Sequence, residues 1–226
     1  METKTVILDT ETSGIARKRV PGKRPGTMKN QDLDYKTEYK DFPFIVSMAW
    51  KVNDNLTKCY IINPEGKEIP QEAIDIHGIT AEIANNSIFT FAQVISLFTE
   101  DAQKNDIVVG HGIYFDTSII KANVLKALDQ GEWDGDMKIF DEISEILHKY
   151  KRIDTMKSAA KMCGKWPKLQ ELHTKIFGQE FKAHNAFDDV EATNKCYLWL
   201  LKEGIVPTLS DLEANAMEKE SLNNAG

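Results

Sequence analysis

Apolar and polar positions alternate along this chain in patterns that change from strand-like to helix-like. Val6-Ile7-Leu8 and Ile107-Val108-Val109 are unbroken apolar runs, which suit central strands covered on both faces. Phe44 to Val52 and Leu56 to Ile62 read as two strands joined by the turn Asn53-Asp54-Asn55. Later segments follow the i, i+3, i+4, i+7 spacing of a helix instead. Phe91, Val94, Ile95 and Phe98 do so over Thr90 to Gln103, and Ile119, Ile120, Asn123, Val124 and Leu128 over Phe115 to Leu128. Ala186, Val190, Thr193, Tyr197 and Leu201 mark a last long helix from Asn185 to Glu203, stopped by Gly204 and Pro207.

Shorter helices are expected over Pro70 to Ile76, Asp141 to Tyr150, from Ile153-Asp154-Thr155 to Met162, and Pro167 to Phe177. Thr80 can cap a further turn. Pro21, Gly22, Pro25 and Gly26 interrupt residues 15–41, which read as one long loop. Strands first and helices later predict an α/β fold with a mixed sheet. Residues 1–207 form the expected domain, and residues 208–226 a polar tail with weak helical character.

Composition narrows the class. The 226 residues are 42% hydrophobic, enough for a sizeable core, yet no apolar stretch approaches a membrane span. Strand pattern begins almost at Met1, so no signal peptide is expected. Three cysteines without metal-type spacing suggest reduced thiols and a cytoplasmic setting. Net charge is −7, but residues 17–29 hold Arg17, Lys18, Arg19, Lys23, Arg24 and Lys29 and no acid, so the remainder carries −13. A basic segment on an acidic body is a local phosphate-binding signal.

The chemistry concentrates in four acids. Asp9 and Glu11 are two apart on the first strand and share one face. Repulsion between them makes burial costly unless a cation intervenes, which points to a divalent metal at the strand's C-terminal end. Asp116 lies three and four residues before Ile119 and Ile120 and therefore faces inward. Near the C-terminus, Asp189 falls on the apolar face of its helix, while Asp188 groups with Glu191 and Lys195 on the wet face. His184 stands at the mouth of that helix, with a side chain suited to proton transfer near neutrality. All-oxygen ligands favour Mg²⁺ or Mn²⁺, and four carboxylates suit two such ions.

The segments DTETSG, GHGIYFD and HNAFDDVEAT, in this order, resemble the three motifs of the DEDDh family of 3′–5′ exonucleases. The similarity is strongest to the proofreading subunit of bacterial replicative polymerases and its stand-alone and phage-type relatives. It covers about residues 5–203, with HGIT at residues 77–80 and KLQEL…IFG at 168–178 also similar. The resemblance implies a ribonuclease-H-like fold, a five-stranded mixed sheet flanked by helices. It implies two metals on Asp9, Glu11, Asp116 and Asp189, with His184 as general base. It places Thr12, Ile76, His77 and Phe115 in the pocket for the 3′-terminal nucleotide. Gly112 departs from the family's usual Asn, and the basic segment is longer than expected.

The expected reaction is metal-dependent release of nucleoside 5′-monophosphates from the 3′ end of DNA, single-stranded or frayed. Arg17, Lys18, Arg19, Lys23 and Arg24 are expected to grip substrate phosphates. Alternatives are the same chemistry on RNA and a binding module on an inactive nuclease fold. Nucleic acid is thus the expected partner, DNA before RNA, and a polymerase partner is left open.

Overall fold

The computed structural model describes residues 3–21, 28–214 and 217. Strands β1 (Thr5–Thr12), β2 (Arg17–Pro21) and β3 (Met28–Asp32) are followed by a short helix α1 (Tyr35–Glu38), then β4 (Ile45–Val52) and β5 (Lys58–Ile61). Helices α2 (Gln71–His77), α3 (Ala81–Asn85) and α4 (Phe91–Ala102) lead to β6 (Ile107–Gly110). Then come α5 (Tyr114–Asp129), α6 (Lys138–Ile146), β7 (Arg152–Asp154), α7 (Thr155–Ser158), α8 (Ala160–Cys163), α9 (Leu169–Phe177) and α10 (Ala186–Lys202). Residues 209–214 add a helical turn capped by Thr208, which exchanges hydrogen bonds with Asp211.

Five strands form one mixed sheet in the order β5-β4-β1-β6-β7. The first strand lies at its centre, antiparallel to β4 and parallel to β6, so both of its edges are paired. Val6 and Leu8 point into one core with Trp50, Phe98, Ile119 and Ile120, where α4, α5 and α6 pack. Ile7 points into the other with Ala49, Val190, Tyr197 and Leu200, under α9 and α10. A one-residue slip of β1 would exchange these sets and turn the acids to the wrong face. Within the first core Trp50 meets Phe98 edge-on with ring centroids 5.5 Å apart, and its indole N–H donates to Asp101 at 2.8 Å. Such an aromatic pair contributes about 1 kcal/mol beyond the area it buries.

Three expectations are corrected. Residues 15–41 are not one loop: β2 and β3 pair as a separate antiparallel ribbon, and α1 follows, started by the Asp34 side chain accepting the Lys36 N–H. Arg-Lys-Arg-Val has strand-compatible residues, but no apolar alternation announces a ribbon that lies outside the main sheet. Secondly, Arg152 to Asp154 does lead into a helix, capped by Asp154 and starting at Thr155, but these three residues are also the sheet's fifth strand. Three residues are too short to show a period, and only pairing with β6 defines them. Finally, Glu191 is only partly exposed on the wet face, where its carboxylate accepts from Lys51 at 2.9 Å and from the Thr57 hydroxyl.

Cys59, Cys163 and Cys196 are free thiols. Among the described residues no helix is long and apolar enough to cross a membrane.

Candidate metal centre

The strands β1 and β6 pair only over Thr5 to Ile7, and beyond that point they part. The backbone N–H of Thr10 is therefore not taken by β6. Together with the Thr10 hydroxyl it donates to Asp116 Oδ1, at 3.1 and 2.8 Å. Asp116 sits in the first turn of α5 and is 4% exposed. Two donors on one oxygen fix this carboxylate against the strand that carries Asp9 and Glu11.

On the other face, Asp9 stands opposite Ala49 and Glu11 opposite Ser47 on β4. Small partners leave space above the acids. An irregularity in the pairing follows between Glu11 and Thr12, and such shifts re-aim side chains at strand ends. Asp189 reaches this space from the first turn of α10, where it is buried while Asp188 is exposed. Carboxylate oxygens of Asp9, Glu11 and Asp189 all lie within 4.8 Å of one another.

Burial dominates the electrostatics, and repulsion adds to it. Asp9 is held well above the usual carboxylate range by desolvation first, then by Asp116, Asp189 and Glu11. Burial, then Asp189 and Asp116, push Glu11 up to about 8. Asp116 is raised to about 7 by burial, against the Thr10 hydrogen bonds that favour its anion. Burial likewise raises Asp189 to about 6, opposed by the His184 N–H. Acids left in this state have room for positive charge.

The residues fit a divalent ion. Among the described residues Asp189 Oδ1 is buried without a hydrogen-bond partner, while its Oδ2 accepts the His184 N–H at 2.9 Å. An orphaned carboxylate oxygen facing two further carboxylates is a ligand set of hard oxygens. His184 itself is exposed and has a left-handed φ of 70°. Its backbone anchors to Asp189 and its imidazole stays at the mouth.

The remaining expected residues divide. His77 is buried at the end of α2. Its Nδ1 accepts the Ile79 N–H at 3.0 Å, so the neutral ring carries its proton on the buried Nε2. Desolvation holds His77 below the usual imidazole range, and the Thr12 backbone opposes that shift. Thr12 is buried, with its hydroxyl donating to Gly14 O at 2.6 Å. Ile76 is 58% exposed, and Phe115 is half-buried against the first core. Arg17 pairs with Asp32 at 2.7 Å and Lys18 with Glu38, so both cations are already engaged within the ribbon and α1. Lys23 and Arg24 lie outside the described residues, as does the side chain of Arg19.

Asp154 escaped the sequence reading. Its Oδ1 accepts N–H groups from Gly112, Met156 and Lys157 at 3.0 to 3.3 Å, tying the end of β7 to the loop that enters α5. An Asp directly before a helix is a cap signal, and that much was legible. Its long-range bond to Gly112 was not.

A central mixed sheet with helices on both faces, and acids gathered where its strands part, defines an α/β ribonuclease-H-like protein with a carboxylate centre. The RNase T family model, described as exonuclease, matches residues 6–197, and the chain belongs to this exonuclease family, in agreement with the three DEDDh motifs. No curated protein matches the chain in sequence. E. coli exonuclease I in complex with a dT13 oligonucleotide is similar in structure, with a TM-score of 0.61 and 17% identity over 88% of this chain and 41% of that one. Exonuclease I from Methylocaldum szegediense gives 0.58 and 19%, over 88% and 40%. Exonuclease X in complex with 5′ overhanging duplex DNA gives 0.50 and 16%, over 92% and 96%. The chain thus spans about two-fifths of the length of exonuclease I.

Proposed function

We propose that this chain is a 3′–5′ exonuclease that uses two divalent ions, Mg²⁺ or Mn²⁺, to release nucleoside 5′-monophosphates from the 3′ end of DNA. The observation that carries the reading is the convergence of Asp9, Glu11 and Asp189 within 4.8 Å, beside a buried Asp116. Asp9, Glu11, Asp116 and Asp189 would hold the ions, which when bound supply Lewis-acid polarisation of the scissile phosphate and its attacking water. Family membership and the structural similarity to exonucleases crystallised with DNA support the same substrate class.

His184 takes the proton of the attacking water. Its backbone bond to Asp189 keeps it at the acids, while its exposed ring is open to solvent. Thr12, Ile76, His77 and Phe115 border the place of the terminal nucleotide. His77 brings an Nε2–H, and Ile76 brings an exposed apolar surface on which a base can rest. The β2–β3 ribbon follows the first acidic motif directly and carries Arg17, Lys18 and Arg19; with Lys23 and Arg24 these cations would meet phosphates farther back.

The test is nucleotide release from matched end-labelled DNA and RNA oligomers, single- and double-stranded, with Mg²⁺, with Mn²⁺ and with chelator. Metal-dependent mononucleotides from the 3′ end of single-stranded DNA are expected. Release from RNA alone would replace DNA by RNA as substrate, and no release under any condition would overturn the nuclease reading.

A further inference from the structure

Trp166 is 64% exposed, although Trp50 in the same chain is 1% exposed. It lies in a segment rich in lysine: Lys157, Lys161, Lys165 and Lys168 are all exposed or half-exposed. Lys157 Nζ stands 6.0 Å from the Trp166 ring centroid. Two acids share the neighbourhood. Glu171 pairs with Lys165 at 2.7 Å, and Asp154, 3.9 Å from Lys157 Nζ, spends its Oδ1 on backbone donors. A local excess of cations around an exposed indole is unusual on a chain whose net charge is −7.

This segment is fastened to the loop that leads into α5. His111 Nε2 donates to the carbonyl of Pro167, next to Trp166, at 2.9 Å, and Nδ1 lies 2.9 Å from Thr155 Oγ1. Burial holds His111 below the usual imidazole range, so its ring is neutral, with one donor and one acceptor. Gly112, with φ of 80°, adjoins Met156, whose Cε would be 3.7 Å from a Cβ added there. The same loop runs on into α5 and Asp116. The backbone beside Trp166 is therefore tied, through Pro167 and His111, to the loop that leads to Asp116.

We infer that Trp166, with Lys157, Lys161, Lys165 and Lys168, forms a platform for the single strand of DNA behind its 3′ end, the indole stacking on a base and the lysines meeting phosphates. Every base offers a π-face and every nucleotide a negative charge, so such a surface binds a strand without reading its sequence. The inference rests on the exonuclease reading for the identity of the strand, and it can fail independently of it.

Binding of a dye-labelled oligothymidylate to the metal-free protein tests it, with no turnover to confuse the measurement. Trp166→Ala should weaken binding about tenfold, and Trp166→Phe should restore most of the loss, because stacking on one aromatic is worth roughly that much. Replacing the four lysines with Gln should lower the slope of log affinity against log salt, by about 0.7 for each phosphate that is no longer neutralised. Melting temperatures of the variants exclude unfolding as the cause. Equal affinity in wild type and Trp166→Ala, or equal loss in the Ala and Phe variants, overturns the platform. So does an unchanged salt slope. Nucleotide release measured in parallel separates the two ideas: a wild type that binds as expected but releases nothing removes the exonuclease reading and leaves the platform standing.

Discussion

Asp188 and Asp189 are adjacent, yet one is exposed and the other buried among acids, because successive helix residues point about 100° apart. Asp189→Ala should abolish nucleotide release, while Asp188→Ala should retain it within about threefold; a reversed pair of outcomes would overturn the assignment of Asp189 to the ions. His184→Ala should lower the rate by roughly 10²–10⁴ if its ring takes the proton, and near-normal turnover would remove it from the mechanism. Lys121 tests burial rather than catalysis. It is 6% exposed, and burial together with Arg152 and Lys36 brings it down to about 8, despite a Tyr35 ring 5.5 Å from its Nζ. A lysine with a depressed folded-state pKa destabilises the fold at neutral pH, and that cost fades as pH rises above 8. Lys121→Met should therefore stabilise the protein by about 1 kcal/mol at pH 7, with less gain near pH 10; denaturant melts at both pH values check it.

At the scale of elements, the start of α10 does two jobs. Asn185 accepts the N–H groups of Phe187 and Asp188 at 3.0 and 3.4 Å, which closes the helix N-terminus. The same turn sets Asp189 and receives the His184 N–H. Asn185→Ala should cost about 1 kcal/mol of stability and also lower activity, since fraying the turn moves a candidate ligand. By comparison, Thr90→Ala removes the capping box of α4, in which Thr90 and Gln93 exchange bonds. It should cost a similar amount of stability with turnover unchanged, because α4 lies against the first core and contributes no candidate site residue. Equal effects of the two substitutions on turnover would sink the positional argument.

For the whole molecule, the acids couple folding to pH and to metal. Asp189, Asp116 and Glu11 titrate at about 6, 7 and 8 in the folded chain, well above ordinary carboxylates. Through this window the folded state binds more protons than the unfolded one. The contribution of these acids to metal-free stability is therefore greatest in mild acid and is lost as pH rises from about 5 to 8. Mn²⁺ or Mg²⁺ should raise the melting temperature, and more at pH 8 than at pH 6, because ionised acids bind the ion and protonated ones do not. At a hundred times Kd the gain would be about 2.7 kcal/mol. A melting temperature that Mn²⁺ leaves unmoved at pH 8 would count against the metal centre.

Local order decided how much could be read in advance. The apolar run Val6-Ile7-Leu8 and the two-residue spacing of Asp9 and Glu11 follow from strand periodicity, and both acids do share a face. Helical spacing gave the inward turn of Asp116 and Asp189, the helices expected from Thr90 and Asn185 do start there, and Thr80 caps the turn it was expected to cap. What the residues alone could not contain was partnership across the chain. Only the tertiary structure pairs β7 with β6, binds Glu191 to Lys51 and sets Asp154 against Gly112. It also fastens Trp166's neighbour Pro167 to His111. Periodicity reports which way a side chain points from its own element; which group it then meets depends on how distant elements pack, and that information is not local.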